Sequence, residues 1–262
     1  MLVSKEINRI EICNTIERSA HLANEIATSQ FLMTESERDD INLSLGVKYD
    51  SNRFSDNIAR LSDEMMGVYL QLSGGHIHSI LKLIRSSGSN PSIQALTRTA
   101  IDAAAYGFWI SDGADPVRRV SRAVQLTHPR LSSMESMGAD KSQIGRWKAS
   151  FRKVINSPNF NKSDTSQESI RDSLLRGVSC WEKFNNLHNY VHADPSIAMS
   201  EFLINSFAPE KIRNKDLESA TFATSLLLKS AESISRFRTL RDDIPKELGE
   251  ISVKMDEYSG NI

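Results

Sequence analysis

The chain has 262 residues, of which 39% are hydrophobic and 25% charged, and its formal net charge is −1. This composition excludes an intrinsically disordered chain, and it excludes recruitment of nucleic acid through overall basic charge. The apolar runs are short and interrupted by charges, so we expect neither a membrane span nor a secretory signal. Two widely separated cysteines, Cys13 and Cys180, favour a reducing, cytoplasmic environment without a disulfide framework.

The first part of the chain contains a predicted helix followed by a polar stretch. Residues 5–30 carry apolar side chains every three or four positions, which predicts an amphipathic helix. Residues 31–54 are polar and mixed, and we expect them to form a linker or excursion with a short strand near Leu43–Val47. This region therefore separates the first helix from the rest of the chain.

The next helix is predicted from an apolar stripe that begins after residue 55. The stripe consists of Ile58, Leu61, Met65, Val68 and Leu72. Gly74 and Gly75 then interrupt the pattern, which resumes at Ile77. Because paired glycines weaken a helix interior, we expect either two helices or one kinked helix.

The remaining segments complete a helical pattern. Further helices are predicted over residues 92–111, 117–126, 141–155, 167–193 and 215–242. No segment alternates at period two over six or more residues, so strand content should be small. We therefore predict an all-α, multi-helix bundle of about seven to nine helices in a single domain, residues 1–262, with residues 243–262 as a flexible tail.

Two charged side chains interrupt the most apolar helix, residues 92–111. Arg98 and Asp102 lie four residues apart on one side of a helix that is otherwise apolar or small nearly all round. Buried charges are rare unless paired. The pair is therefore either a salt bridge that fixes helix register, or a guanidinium that holds a phosphate or another anion while Asp102 orients it.

Two histidines lie one turn apart on the helix predicted over residues 167–193. His188 and His192 continue the line of its apolar side chains, flanked by Phe184 and Leu187. Such a pair can perform acid–base chemistry near neutral pH, bind a metal, or simply form hydrogen bonds at the edge of the core. Asn189 stands where a zinc protease needs glutamate, and no cysteine and no carboxylates other than Asp102 and Asp194 are expected near the pair. We therefore expect no metal and no cofactor.

Three arginines mark the helix predicted over residues 117–126. Arg118, Arg119 and Arg122 form a charged face. Such a face usually serves solubility, and the alternative is a stripe that contacts phosphates.

A resemblance to a known family is carried by two segments. Residues 76–112 read HIHSILKLIRSSGSNPSIQALTRTAIDAAAYGFWISD, and residues 184–194 read FNNLHNYVHAD. These segments resemble the "LxRxxxEAxxxxxWL" and "YxxLSxxVH" elements of DUF5677, a bacterial family of helical proteins of unknown function. The resemblance covers roughly residues 65–195, and the family's Arg-x-x-x-Glu corresponds here to Arg98 and Asp102.

That family is in turn similar to HEPN-type helical domains, many of which are toxins or abortive-infection ribonucleases. Their hallmark is an arginine followed, four to six residues later, by a histidine on the same helix. None of the residues at that spacing before His188 or His192 is arginine. The resemblance therefore implies a ribonuclease only if Arg98 supplies the cation from another helix.

Three functions remain open from the sequence. The first is an enzyme, a metal-independent ribonuclease or related phosphodiesterase of the abortive-infection or toxin type. In it His192 is the general acid/base, His188 its helper, Arg98 stabilises the phosphorane and Asp102 orients Arg98. The second is a non-catalytic helical partner-binding or antitoxin-like module, in which the same residues form a buried polar network. The third is a small-molecule or metal site between helices. The expected partners are RNA or a protein, with a homodimer as one possibility and no membrane.

Overall fold

The structure is a computed structural model that describes residues 2–48, 57–87, 92–113, 115–176 and 209–261, together with residues 184, 187 and 199. Helices dominate the described residues, and the prediction of an all-α, multi-helix bundle is confirmed. None of the described helices is both long and apolar enough to cross a membrane.

The elements follow one another in this order: α1 (Leu2–Thr28), β1 (Gln30–Phe31), α2 (Glu35–Ser44), α3 (Ile58–Ser87), α4 (Ser92–Ser111), α5 (Pro116–Thr127), a 3-10 turn (His128–Arg130), α6 (Leu131–Ser136), α7 (Lys141–Ile155), α8 (Gln167–Leu175), α9 (Pro209–Ser235), β2 (Arg238–Thr239) and α10 (Asp243–Asn261). The two strands pair antiparallel, with Phe31 opposite Arg238. This small ribbon joins the end of α1 to the segment between α9 and α10.

Helix α2 lies inside the region that the sequence predicts to be a linker. Thr34 caps it through a capping box: the Thr34 hydroxyl accepts from the backbone N–H of Glu37, and the Glu37 carboxylate accepts from that of Thr34. The helix ends at Ser44 and a turn follows, with Gly46 at a φ of 74°. The predictions of a linker over the described part of residues 31–54, and of a strand near Leu43–Val47, are therefore wrong.

Helix α3 runs without interruption through Gly74 and Gly75. A Cβ atom on Gly74 would lie 3.3 Å from the carbonyl oxygen of Ala20, and one on Gly67 would lie 3.0 Å from that of Ala27. Glycine at these two positions therefore lets α1 and α3 pack closely. The predicted kink or break is absent because the tertiary contact outweighs the weak helix propensity of glycine.

The buried side chains form two hydrophobic cores. The larger core joins α1, α3, α4, α8, α9 and α10, and it includes Phe184 and Leu187. The smaller core joins α2, the start of α3, α5, α6 and α7 around the fully buried Phe151. The charged clusters described below lie in or beside these cores.

The end of the chain differs most from its prediction. The sequence predicts a flexible tail over residues 243–262, but residues 243–261 form α10. Its side chains in the larger core are Ile244, Leu248, Ile251 and Met255. Their spacing of three or four residues places them on one face, and that face packs against the bundle.

Candidate functional site

Arg98 is buried on α4, with an exposed fraction of 5%. Its guanidinium carbon lies 3.8 Å from the centre of the Phe184 ring, and its Nη1 donates to the Phe184 carbonyl oxygen at 3.4 Å. Its Nε donates to Oδ2 of Asp102, also at 3.4 Å. Burial lowers the pKa of Arg98, and Asp102 opposes that shift. The charge is thus held by an aromatic face, a carbonyl and one carboxylate.

Asp102 makes its closer contacts with a residue that the sequence analysis did not single out. Arg171 on α8 donates from Nε to Oδ1 of Asp102 at 2.7 Å and from Nη2 to Oδ2 at 3.2 Å. This is a two-pronged arginine–carboxylate pair, whereas the predicted pair with Arg98 has a single, longer bond. The Arg171 guanidinium also lies 5.4 Å from the Phe184 ring.

These four residues, Arg98, Asp102, Arg171 and Phe184, are called the Arg98 cluster below. They tie α4 to α8 and to the helical position of Phe184, whose exposed fraction is 1%. Arg98 cannot receive a phosphate on its covered face unless Phe184 moves. The arrangement therefore favours cross-linking of helices over anion binding at Arg98.

The two histidines of the predicted site, His188 and His192, lie outside the described residues. The described part of the site consequently contains Arg98 and Asp102 from the prediction, together with Arg171 and Phe184. Within the described ranges, no group of three or more His, Cys, Asp or Glu side chains is placed to hold a metal ion. Cys13 is a free, buried thiol, and burial raises its pKa.

A second charged cluster lies where α2, α3 and α5 meet the ribbon. Asp63 on α3 is 2% exposed, and three buried arginines surround it: Arg38, Arg119 and Arg238. Nη2 of Arg38 lies 3.7 Å from Oδ2 of Asp63, and Nη2 of Arg238 donates to the Asp63 carbonyl oxygen at 2.9 Å. We call these four residues the Asp63 cluster.

Burial has the largest influence on the pKa of Asp63. Desolvation raises its pKa to about 6, although the three arginines act in the opposite direction. Its Oδ2 accepts no hydrogen bond from any described residue, which leaves the ionised form without a direct donor at that atom. The negative charge of Asp63 is therefore balanced at Oδ2 by the nearby arginine charges rather than by a direct hydrogen bond from a described residue.

Aromatic rings support the arginines of this second cluster as well. The guanidinium carbons of Arg38 and Arg238 lie 5.3 and 4.2 Å from the centre of the Phe31 ring. That of Arg119 lies 4.0 Å from the Phe237 ring. Each arginine thus replaces part of its lost hydration by contact with a ring face.

The arginines of α5 are not the charged surface face that the sequence predicts. Arg119 and Arg122 are each 4% exposed. Arg122 donates from Nη1 to the carbonyl oxygens of Trp109 and Asp112, and Arg119 donates to that of Gly113. Because the last carbonyls of a helix have no partners within it, these arginines cap the C-terminal end of α4.

Two cavities flank the Asp63 cluster. One, of about 660 Å³, is lined by Arg38 and Arg238, and the other, of about 450 Å³, is lined by Asp63 and Arg119. The sequence analysis did not identify them, because their walls come from separate elements: α1, α2, α3, α5 and the ribbon. The signal that was present is Asp63 itself, a carboxylate between apolar positions of α3.

Comparison with protein-family models, with curated proteins and with solved structures finds no match to this chain.

Proposed function

We propose that the protein is a non-catalytic helical module that binds a protein partner, with the Arg98 cluster as a structural clamp. The observation that carries this proposal is the environment of Arg98, which is 5% exposed and lies 3.8 Å from the Phe184 ring. A group that stabilises a phosphorane must present its N–H donors to the reacting phosphate. Two of the Arg98 donor atoms, Nε and Nη1, instead donate to Asp102 and to the Phe184 carbonyl oxygen.

The charge balance of the clamp supports the same proposal. Asp102 is held by two bonds from Arg171, so it is engaged by a second cation rather than free to orient Arg98 towards a substrate. Two arginines around one carboxylate, backed by a buried ring, form the kind of polar network that fixes how helices pack. Substitution of one residue of the Arg98 cluster should therefore act mainly by lowering the free energy of unfolding.

The described surface also offers apolar contact area. Val68 and Leu72, one turn apart on α3, are 50% and 48% exposed. Neighbouring apolar side chains on a helix face are a usual component of protein–protein contacts. This face supports a protein partner, with a second copy of the chain as one candidate.

The test compares wild type with His192→Ala, Arg98→Lys and the control His21→Ala, whose side chain is exposed. Each purified protein is incubated with single-stranded and hairpin RNA, and each gene is induced in cells to measure growth. We expect no RNA cleavage and equal growth in all four cases, with a lower melting temperature for Arg98→Lys. RNA cleavage by wild type that is lost in a folded His192→Ala variant would instead support the ribonuclease that the family resemblance implies.

The partner is tested separately by cross-linking in cells followed by mass spectrometry. We expect cross-links from lysines of this chain to one protein, or to a second copy, that persist in His192→Ala. If neither wild type nor His192→Ala forms a cross-link to another protein or to a second copy, the proposal of a partner-binding module is contradicted.

A further inference from the structure

The larger cavity has two buried arginines in its wall. It has a volume of about 660 Å³ and lies between the end of α1, the ribbon, the start of α2 and one face of α3. Arg38 and Arg238 both line it, with exposed fractions of only 6% and 5%. Guanidinium groups so well removed from water need acceptors close by.

Both arginines have donors that the described residues do not use. Arg238 is fixed by two bonds, from Nη1 to the Ser29 carbonyl oxygen at 3.0 Å and from Nη2 to that of Asp63. Its Nε, like that of Arg38, is buried and donates to no described residue. An unpaired buried N–H is costly, so the described residues compensate these two guanidinium groups only in part.

The charged side chains that line the cavity are two arginines, Arg38 and Arg238, and two glutamates, Glu35 and Glu64, and they differ in how they are paired. Arg38 is compensated by Glu35, whose Oε1 lies 2.7 Å from its Nη1, and by Asp63. Glu64, another acid on the wall, is paired with Arg60 at 3.1 Å. Arg238, in contrast, makes no ion pair with any residue in the described part of the chain, and its bonded partners are backbone carbonyls. Asp63 and Glu64 therefore act on Arg238 only as nearby charges, without a direct ion pair among the described residues.

Gly67 has no side chain at the place where the Arg238 guanidinium lies against α3. A Cβ atom on Gly67 would lie 2.8 Å from Nη2 of Arg238, so only glycine leaves room for the guanidinium against α3. The remaining wall is mixed, with the hydroxyls of Thr28 and Ser29, the amide of Gln71 and the apolar Val68. Such a wall suits a small molecule with an anionic group and a polar organic part.

We propose that this cavity binds a small phosphate-bearing molecule, whose phosphate oxygens accept from Arg38 and Arg238. Phosphate matches the two arginines because it accepts several bonds at once and would give Arg238 the direct ion pair that no described residue makes with it. The volume accommodates a small metabolite. This site is distinct from the Arg98 cluster and does not depend on whether the protein is catalytic.

The experiment is isothermal titration of the full-length protein with inorganic phosphate, ribose 5-phosphate and ribose. We expect saturable binding of both phosphates and none of ribose. Tighter binding of ribose 5-phosphate than of inorganic phosphate assigns the site to a phosphorylated metabolite, and equal affinity assigns it to free phosphate. Absence of saturable binding by either phosphate overturns the proposal.

Matched variants test the location. Val68→Glu places a negative charge at the half-exposed wall, and Val253→Glu makes the same change on the exposed face of α10, where Val253 is 59% exposed. We expect Val68→Glu to weaken phosphate binding on the order of five- to tenfold, since a like charge repels the ligand, and Val253→Glu to leave it unchanged. Equal affinities in these two variants overturn the assignment, as does unchanged affinity in a folded Arg38→Gln variant.

Discussion

The Arg98 cluster and the Asp63 cluster use the same chemistry with different results. In both, buried guanidinium groups lie over aromatic rings and near one carboxylate. In the Arg98 cluster, two arginines share Asp102 and Phe184 covers them. In the Asp63 cluster, three arginines share Asp63, the Nε atoms of Arg38 and Arg238 donate to no described residue, and cavities lie alongside. The comparison separates a cluster closed by an aromatic ring from one that borders open space, and our two proposals rest on that difference.

The largest expected effect comes from removal of the ring that closes the Arg98 cluster. Phe184→Ala should lower the free energy of unfolding by about 3–5 kcal/mol, because a fully buried ring leaves a cavity and uncovers two guanidinium groups. Denaturant unfolding measures this loss, with Phe160→Ala, at a partly buried position beside the smaller core, as the control. A loss for Phe184→Ala no larger than that of the control contradicts a closed cluster.

The next effect concerns the pH dependence of the Asp63 cluster. A rise of the Asp63 pKa from its ordinary 3.8 to about 6 means that the folded state binds a proton more tightly than the unfolded state. Stability from this group should therefore be highest below pH 4, fall by about 3 kcal/mol as the pH rises to 6, and stay level above it.

The variant Asp63→Asn isolates that contribution, because asparagine does not titrate. We expect the stability of wild type, minus that of Asp63→Asn, to decrease between pH 4 and pH 6 in denaturant unfolding. An increase over the same range would show that Arg38, Arg119 and Arg238 outweigh desolvation.

A smaller effect is expected from a conservative change in the Arg98 cluster. Arg98→Lys keeps the charge but loses the planar group over Phe184. Lysine also has one donor nitrogen, whereas Arg98 donates from both Nε and Nη1. The variant should therefore lower the free energy of unfolding by about 1–3 kcal/mol. Arg236→Lys, whose side chain is 69% exposed, serves as the control and should have no measurable effect. Equal stabilities of the two lysine variants in thermal unfolding would refute the clamp.

The smallest effect should come from substitution of Arg171, the more exposed arginine of the Arg98 cluster. Arg171 and Asp102 retain side-chain exposures of 18% and 28%, so solvent screens their pair. Arg171→Gln should therefore cost about 1 kcal/mol or less, and less at high salt. A loss as large as that of Phe184→Ala would place the centre of the clamp at Arg171.

The sequence predicted the helical class because the 3.6-residue period is a local property. It also singled out Arg98 and Asp102, since charges on an apolar helix stand out. It could not identify Arg171, whose partner is 69 residues away in sequence. The distance between α4 and α8 depends on packing that no local pattern encodes.

Helix α3 shows how a local pattern can mislead. The predicted stripe includes Val68 and Leu72, which are half exposed, whereas Asp63, Met66 and Leu70 are buried. Gly67 and Gly74 lie against α1, so the buried face of α3 includes these two glycines rather than Val68 and Leu72. In α10 the apolar spacing is present in the sequence, and Pro245 stands near its start. It lies in the first turn of the helix, where proline is tolerated.

The most direct test of the division between the two clusters is the melting temperature of wild type, Arg98→Lys and Val68→Glu, each with and without phosphate. We expect phosphate to raise the melting temperature of wild type and, by the same increment, that of Arg98→Lys, which starts lower. Val68→Glu should start near wild type and lose the increment. If phosphate stabilises Val68→Glu fully, or fails to stabilise Arg98→Lys, the two clusters do not have the separate roles assigned to them.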